Sequence, residues 1–318
     1  MIDRIDKIKK NDKIETRWRN KSIGSRFGHN FFYLMIKLGG RRVAYFFLYF
    51  IVFYYALFSP SVKDKTDPYL SKRFPDSGIM KKMYNRYMMI LNLGKSLVDR
   101  AIIGIKGQKS MHISFNDPDH LVKVKSLNSG FIILMSHTGC WQGVMSALSE
   151  LQKPVNLLML MDNQDIDKHY FEHGNLKNKL KIINPEQFLG GTIEMINALK
   201  NDEILCIMGD RVFNNQDLCV DINFLGEKAL FPFSAYKIAS IVQKPVVILY
   251  SYKSGAKHYK LTIPEIIHVP PKLGKTKENY KPYVQKFVTS LELFIQEYPF
   301  QFFNFYDMWE NKRRTKKN

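Results

Sequence analysis

The segment around His137 is the part of the chain best suited to chemistry. An uninterrupted apolar run, 131–135, predicts a buried strand that stops at Ser136. Gly139 follows, and residues 141–151 place apolar side chains at helical spacing. Of the eight histidines, only His137 lies at such a strand-to-helix turn. Because α/β proteins bind substrates at the carboxyl ends of strands, and imidazole accepts protons near neutral pH, His137 is a candidate general base.

Gln142 lies five residues after His137 and could reach it only through this turn. On a continuous helix, that separation would point the two side chains about 140° apart. They can meet only if His137 lies in the turn and Gln142 in the first helical turn. Asp210 and Arg211 follow a second apolar run, 204–208, and should therefore project from the same edge of the sheet as His137.

Composition indicates a basic, apolar protein that meets an anionic surface. The 318 residues carry a formal net charge of +19, and aromatic residues make up 14% of them. Nucleic acid and an anionic membrane leaflet are both suitable partners for such a surface. The three cysteines have neither disulfide-framework nor metal-ligand spacing, which favours a reducing compartment and predicts no metal site. The chain has no internal repeats and no low-complexity linker, which favours one large domain over two small ones.

An apolar run near the amino terminus predicts membrane contact. Residues 43–58 contain no charged side chain and, as a helix, would span about 24 Å, which is short of the roughly 30 Å hydrocarbon core. Arg41 and Arg42 precede the run and Lys63 and Lys65 follow it, so no charge asymmetry favours moving one end across the bilayer. A helix lying in the membrane surface fits best, and the alternatives are a buried core helix and a membrane-spanning helix.

Strands and helices are predicted to alternate after residue 107, which indicates an α/β fold with a mixed, largely parallel sheet flanked by helices. The predicted strands are 111–115, 131–136, 154–160, 180–183, 203–208, 218–224 and 245–252. Helices are predicted near 141–151, 190–200, 234–242 and 278–297. Residues 1–66 are predicted to form a basic arm and the membrane-associating segment, residues 67–310 the main domain, and residues 311–318 a basic tail.

Five blocks of sequence follow one another in an order that is typical of one enzyme superfamily. They are Ser-His-Thr-Gly-Cys-Trp at 136–141, Met-Gly-Asp-Arg at 208–211, residues 220–226 with Phe231-Pro232, residues 239–247, and the aromatic block 298–309. Together they resemble the lysophospholipid acyltransferase superfamily, in particular its lipid A late-acyltransferase branch of lauroyl and myristoyl transferases. That superfamily has histidine, four residues, and then aspartate or glutamate. This chain departs from the pattern, because Gln142 stands at the acidic position.

The resemblance implies that His137 is the general base of an acyl transfer. In the family, the carboxylate at the position of Gln142 accepts a hydrogen bond from the histidine and stabilises imidazolium as it forms. A glutamine oxygen can accept that bond but cannot offset the positive charge. Three interpretations are open: an active site that uses Gln142, an active site that recruits another carboxylate, and a homologue without catalytic activity. The family places an aspartate at the end of the second strand, so Asp210 is the natural recruit and a candidate catalytic residue.

The resemblance also implies substrate contacts. Gly139 and Trp141 belong to the histidine block and are candidate substrate-binding residues. Arg211 would bind a phosphate of the donor or of a lipid headgroup, or would instead form a structural ion pair. Cys140 is either a small packed side chain or, in a rival hypothesis, a nucleophile beside the histidine. An apolar groove with one tight turn would be lined by Phe224, Gly226 and Pro232.

These features predict a membrane-associated acyltransferase. It would move a fatty-acyl group from a thioester of acyl carrier protein or CoA to a hydroxyl or amine of a lipid or glycolipid, with no metal or other cofactor. The expected location is the cytoplasmic face of a bacterial inner membrane, where a basic surface suits both an acidic carrier protein and anionic lipid. A lipid-binding homologue without catalysis is one alternative. A nucleic-acid-binding protein is another, although the sequence has no helix-turn-helix, zinc-finger or RNA-recognition pattern.

Overall fold

The computed structural model describes residues 26–160, 180–212 and 216–309. The predicted basic tail, 311–318, and most of the predicted basic arm lie outside these residues. Eight α-helices lie within them, namely α1 (Arg26–Phe58), α2 (Pro60–Arg73), α3 (Ile79–Lys106), α4 (Pro118–Lys125), α5 (Trp141–Val144), α6 (Thr192–Lys200), α7 (Ser234–Val242) and α8 (Lys281–Glu297). The strands of the described residues are β1 (His112–Phe115), β2 (Phe131–Met135), β3 (Val155–Leu158), β4 (Leu180–Ile183), β5 (Ile204–Met208), β6 (Cys219–Phe224), β7 (Glu227–Pro232), β8 (Val246–Lys253), β9 (His258–Thr262) and β10 (Ile266–Ile267).

The main sheet has eight strands. Seven of them follow the order β1-β9-β8-β2-β5-β3-β4, and β10 pairs with β8. In its central part, β2 runs parallel to β5 on one side and to β8 on the other, and β3 and β4 continue the parallel arrangement. Strands β9 and β10 run antiparallel to β8. The predicted mixed, largely parallel sheet flanked by helices is therefore confirmed.

Strand β2 shows why the central strands appear in the sequence as unbroken apolar runs. All of its residues, 131–135, are buried. Ile132 and Leu134 belong to the hydrophobic core on one face of the sheet, which also contains side chains of α7 and α8. Phe131, Ile133 and Met135 belong to the core on the other face. Because helices and loops cover both faces, neither face of this strand can carry a polar side chain without burying it.

Some predicted elements differ from the observed ones. The predicted helix 141–151 is α-helical only over Trp141–Val144 and continues as the 3-10 helix Met145–Leu151. Strands β7, β9 and β10 were not predicted. Strands β6 and β7 form a separate antiparallel hairpin whose two turn residues, Leu225 and Gly226, have φ values of 51° and 83°. The tight turn predicted at Gly226 is thus confirmed.

Helix α1 is much longer than the predicted apolar segment 43–58. Its stretch Gly28–Phe58 has 31 residues and contains an 18-residue window with a mean hydropathy of 1.3, so by length and composition it could cross a membrane. The predicted run 43–58 is thus only part of a longer helix, and its position in the membrane surface stays a prediction. The backbone kinks at Gly40, where φ is 67° and ψ is −156°. Arg41 and Arg42, which precede the apolar run in the sequence, lie inside the helix.

Helix α1 packs one face along α3 and leaves the other face exposed. Four side chains spaced four residues apart are buried: Ala44, Leu48, Val52 and Ala56. Leu48 packs so closely on Gly94 of α3 that a Cβ atom there would lie 2.7 Å from its Cδ1. The opposite face carries phenylalanines that remain 57–67% exposed, namely Phe46, Phe50, Phe53 and Phe58. An apolar surface of this kind marks a contact with membrane or another apolar partner.

A buried carboxylate joins α1 to the rest of the domain. Asp99 of α3 is fully buried, and its Oδ1 atom accepts hydrogen bonds from Arg41 Nε at 2.9 Å and from the Tyr45 hydroxyl at 2.8 Å. Its Oδ2 atom accepts from Lys253 Nζ at 2.5 Å and from the Tyr259 hydroxyl at 2.8 Å. Two of these donors come from α1, and the other two come from the strands β8 and β9. One side chain of α3 therefore links α1 to the sheet.

Replacing Asp99 by alanine should lower the free energy of unfolding by about 3–5 kcal/mol, because Arg41 and Lys253 would lose their buried counter-charge. The control is Glu265→Ala, which removes a partly exposed ion pair with Lys286 at 2.6 Å and should cost less than about 1 kcal/mol. Chemical denaturation in mild detergent measures both. Equally small losses in the two variants would contradict the linking role of Asp99.

Candidate active site

Strand register places His137 beside Asp210. In the pair β2–β5, Met135 lies opposite Met208, so the residues that follow the two strands leave the sheet at the same edge. Nδ1 of His137 lies 2.8 Å from Oδ1 of Asp210 and 3.1 Å from Oδ2. The His137 side chain keeps 15% of its surface exposed, whereas the Asp210 side chain is fully buried. The result is a histidine–carboxylate pair whose imidazole reaches the surface.

The Asp210 carboxylate accepts several hydrogen bonds. Its Oδ2 atom accepts from the Ser136 hydroxyl and from the main-chain N–H of His137, both at 2.9 Å. Burial raises the pKa of this carboxyl, but the charge and hydrogen bonds of His137, together with the Arg211 guanidinium, hold the pKa below its ordinary value. Asp210 is therefore ionised at neutral pH. Because a carboxylate can only accept, the Nδ1 atom that faces it must carry a proton.

Gln142 contacts Arg100 rather than His137. Its Oε1 atom accepts a hydrogen bond at 2.7 Å from Nη1 of Arg100, a buried residue of α3. The prediction that Gln142 accepts the hydrogen bond of the imidazole is therefore wrong, because Nδ1 of His137 faces Asp210 instead. Gln142 does lie in the first turn of α5, as predicted, but there its side chain extends toward α3.

The turn after His137 is packed tightly against β8. Gly139 has a φ of 54°, and a Cβ atom there would lie 2.4 Å from the main-chain oxygen of Ser251. The Ser251 hydroxyl donates to the main-chain oxygen of Thr138 at 2.7 Å, which holds the turn on the strand. The Trp141 ring stands edge-on to His137, with ring centroids 6.2 Å apart. Gly139 therefore serves packing, and Trp141 forms one side of the imidazole's surroundings.

Arg211 contacts the carboxyl-terminal segment. Its Nη2 atom donates to the main-chain oxygen of Phe303 at 3.0 Å, while its buried Nε atom has no hydrogen-bond partner among the described residues. Burial lowers the pKa of this guanidinium, and the neighbouring Asp210 carboxylate opposes the shift. The predicted phosphate contact of Arg211 stays a prediction.

Sequence comparison assigns the family. Residues 69–311 match the family described as bacterial lipid A biosynthesis acyltransferase, a match that includes the histidine turn, Asp210 and the closing aromatic block. The chain belongs to this acyltransferase family. It is therefore an acyltransferase of lipid biosynthesis, and the family implies an acyl thioester and a lipid acceptor as its general substrates.

Among solved structures, this acyltransferase is similar to the 1-acyl-sn-glycerophosphate (LPA) acyltransferase PlsC from Thermotoga maritima. The similarity has a TM-score of 0.35 and 12% sequence identity, and it covers 79% of this chain and 94% of that one. No curated protein sequence matches the chain. The assignment to the acyltransferases accordingly depends on the family match.

Of the three residues predicted to line an apolar groove, Phe224 belongs to the core of this acyltransferase. Phe224 is fully buried and stacks on Trp309, with ring centroids 5.6 Å apart, so its ring has no surface left for a substrate. Gly226 forms the turn of the β6–β7 hairpin and Pro232 ends β7, and their substrate contacts stay predictions. A small, mostly apolar cavity lies instead beside the histidine turn and is lined by Met135, Ser136, Thr138, Trp141, Leu249, Ser251 and Leu261.

Cys140 is a packed thiol. It is 3% exposed, and its Sγ atom lies 3.5 Å from the main-chain oxygen of Ser96. Burial raises the pKa of the thiol to about 12, although the Arg100 charge opposes the shift. The thiol is therefore protonated at neutral pH, which argues against the nucleophile hypothesis. Within the described part of the chain, no group of three or more His, Cys, Asp and Glu side chains is arranged to hold a metal ion.

The sequence analysis missed three polar residues that contact Asp210, namely Ser136, Asn304 and Tyr306. Asn304 and Tyr306 both donate to the main-chain oxygen of Asp210. The one available signal was the polar Asn304 within the aromatic block 298–309, because a buried side-chain amide must find hydrogen-bond partners. Nothing in the local sequence indicated that Asp210 would be its partner.

The variant Gly139→Ala should lose most transferase activity and unfold at lower temperature, because its Cβ atom would collide with the main-chain oxygen of Ser251. Gly274→Ala is the matched control. Its φ is also positive, but an added Cβ would meet nothing within 4 Å, so only backbone strain of about 1–2 kcal/mol is expected. Thermal unfolding and acyl transfer are measured on both variants. Equal effects would show that φ, and not the contact with β8, makes glycine necessary at position 139.

Proposed function

We propose that this acyltransferase moves a fatty-acyl group from a thioester of acyl carrier protein or CoA to a hydroxyl or amine of a lipid or glycolipid, with His137 as general base. The observation that carries the proposal is the contact of 2.8 Å between His137 Nδ1 and the buried Asp210 carboxylate. Imidazole held by a carboxylate through one nitrogen can accept a proton at the other. The pair lies at the carboxyl edge of parallel strands, where such sheets bind substrates.

The proposed reaction is a direct transfer. Nε2 of His137 takes the proton of the acceptor hydroxyl as its oxygen attacks the thioester carbonyl carbon. The Asp210 carboxylate holds Nδ1–H and offsets the positive charge of the imidazolium. When the tetrahedral intermediate collapses, the carbon–sulfur bond breaks, and the thiolate leaves and recovers the proton from imidazolium. No acyl-enzyme forms, because the only group that His137 activates is the acceptor.

Asp210 supplies the charge that Gln142 cannot. Of the three interpretations left open by the sequence, the geometry favours an active site with a recruited carboxylate. The Asp210 carboxylate is ionised and bonded to the imidazole, whereas the Gln142 oxygen is bonded to Arg100. Gln142 then holds Arg100 in place on α3 next to the histidine turn. A homologue without catalysis has no need for a buried carboxylate against an imidazole, since burying a charge is costly.

Helix α1 supports a position at the membrane surface. It runs antiparallel to α3 from the Arg41–Asp99 contact to the hydrogen bond between Arg86 and the main-chain oxygen of Ala56. Helix α3 carries several charged residues and could not lie across the hydrocarbon core beside α1. The exposed phenylalanines of α1 would instead enter the membrane sideways, with the catalytic sheet outside it.

The proposed location is the cytoplasmic face of the inner membrane, where a basic protein surface meets an anionic leaflet. The net charge of +19 suits contact with an anionic leaflet and with an acidic carrier protein.

Changes at His137, Asp210 and Gln142 test the proposed base and its partner. His137→Ala should lower transfer by about 10²- to 10⁴-fold, because it removes the proposed base. Asp210→Asn should lower transfer by a similar factor, because it removes the negative charge that offsets the imidazolium. Gln142→Glu should leave transfer largely unchanged, because the carboxylate can still accept from Arg100. Transfer is followed by mass spectrometry of the acylated lipid, with dodecanoyl thioesters of CoA and of acyl carrier protein as donors. The acceptor is lipid extracted from cells that lack the chain.

The control for these variants is His112→Ala, which removes an exposed imidazole stacked on that of His258. It should transfer at the rate of the unmodified protein. Retained transfer in His137→Ala would refute the proposed base. A gain of about tenfold in Gln142→Glu, with unchanged transfer in Asp210→Asn, would show that the carboxylate belongs at position 142 and that the natural site is compromised.

Charges placed on the exposed face of α1 test the membrane contact. The double variant Phe50→Glu/Phe53→Glu should bind vesicles containing anionic lipid at least about tenfold more weakly, because each buried phenylalanine contributes about 1.5–3 kcal/mol. The double control Val122→Glu/Leu293→Glu changes two equally exposed apolar residues on α4 and α8. It has the same net charge as the double variant of α1. Vesicle co-sedimentation measures both, and equal binding would contradict the proposed orientation.

A further inference from the structure

The segment Gln301–Trp309, called here the closing segment, crosses the sheet edge that carries the proposed catalytic pair. On the histidine side, the main-chain N–H of Phe303 donates to the main-chain oxygen of His137 at 2.6 Å. The main-chain N–H of Gly139 donates to the oxygen of Gln301 at 2.9 Å, and Phe302 forms a bridge with Thr138. The closing segment thus fixes the turn that contains the histidine.

The same segment also binds the other member of the pair. Nδ2 of Asn304 donates to the main-chain oxygen of Asp210 at 3.1 Å, and the hydroxyl of Tyr306 donates to that oxygen at 3.0 Å. Asp210 lies two residues beyond the last residue of β5, where the pairing of β2 with β5 has ended. Two side chains therefore fix a peptide group that the strand ladder itself does not reach.

The closing segment is anchored at both ends. Before it, the hydroxyl of Tyr69 on α2 donates to the main-chain oxygen of Pro299 at 2.8 Å. At its far end, the indole N–H of Trp309 donates to the main-chain oxygen of Phe224 at 3.1 Å. Between these anchors, Phe302 is fully buried and Asn304 is 1% exposed. Side chains held in this way have little freedom, so they can transmit a fixed position to Asp210.

We infer that Asn304 and Tyr306 are positioning residues for the acyl transfer, and that they set the distance between the Asp210 carboxylate and His137 by holding the Asp210 main-chain oxygen. This inference depends on the function proposed above. One rigid segment binds the main-chain oxygen of each partner, so it determines how the two partners lie relative to one another. Catalysis is sensitive to such placement, because an error of 1 Å can lower a rate by about 10²-fold.

Tyr306 acts in this arrangement as a neutral donor. Burial raises the pKa of its hydroxyl, and the negative charge of Asp210 adds to the shift. The hydroxyl therefore stays protonated throughout the range in which the enzyme works, and its contribution is a hydrogen bond to a carbonyl and not a proton transferred to substrate.

The test is Tyr306→Phe, which removes only the hydroxyl. We expect kcat to fall about tenfold with KM changed less than about twofold, because a looser Asp210 weakens the base and leaves substrate binding intact. The acidic limb of the pH–rate profile should also move to lower pH, since a base with a poorly placed carboxylate is protonated less readily. The same dodecanoyl thioesters and extracted lipid serve as substrates.

Tyr280→Phe is the matched control. It removes a phenolic hydroxyl that also donates to a main-chain oxygen, that of Gly274, at 2.8 Å, in a part of the core away from His137. It should lower thermal stability by an amount similar to Tyr306→Phe, while kcat and the pH–rate profile stay unchanged. If the two variants had equal kcat values, Tyr306 would be merely structural and the inference would be overturned.

A mutant cycle separates this inference from the proposed function. If Tyr306 acts through Asp210, then Tyr306→Phe should have little further effect on kcat in the Asp210→Asn background, whereas independent losses would multiply. Asn304→Ala provides a second cycle of the same design. Multiplying losses in both cycles would overturn the positioning role. Full transfer by Asp210→Asn and His137→Ala would instead refute the proposed function itself.

Discussion

The parallel pairing of β2 with β5 is the interaction on which the site depends. Because Met135 lies opposite Met208, the chain brings His137 and Asp210 to one edge at hydrogen-bonding distance. The main-chain N–H of Gly209 extends this pairing by one more bond, to the oxygen of Met135 at 2.8 Å. A slip of two residues would displace one partner by about 6.6 Å and separate the pair. The apolar side chains that cover both faces of these strands therefore protect the chemistry as well as the fold.

Two buried carboxylates in this protein illustrate two uses of charge. Asp99 is surrounded by two cations and two phenols, and a carboxylate so completely neutralised holds α1 and the sheet edge together. Asp210 has a titratable imidazole and neutral hydrogen-bond donors as its direct partners, with the Arg211 guanidinium nearby. Its negative charge is therefore available to respond when the imidazole gains a proton. The difference lies in the partners and not in burial, which is complete for both side chains.

The sheet edge that carries His137 and Asp210 is enclosed by segments from both ends of the described chain. Helix α2 reaches the start of the closing segment through Tyr69, and the closing segment binds the histidine turn and Asp210 in succession. Helix α1 is linked to the same edge through Asp99 and Lys253, whose main-chain N–H donates to the side chain of Gln301 at 2.7 Å. The exposed apolar face of α1 and the His137–Asp210 pair are thus parts of one packed unit.

The sequence alone predicted the strands β2 and β5, the α/β class and the candidate base His137. It did so through periodicity, apolar runs and motif order, which are local signals. The apolar runs arise because a strand buried on both faces of a sheet needs apolar side chains throughout. The same signals placed Asp210 at the same edge. Tertiary structure decided the rest. It decided that Asp210 and not Gln142 holds the imidazole, that Phe224 is core, and that Asn304 and Tyr306 support Asp210. Each of these outcomes depends on which distant segments of the chain pack side by side. The residues adjacent in sequence do not determine that packing. The length of α1 was also decided by tertiary structure. Arg41 can lie inside this apolar helix because the buried Asp99, 58 residues away in sequence, pairs with it.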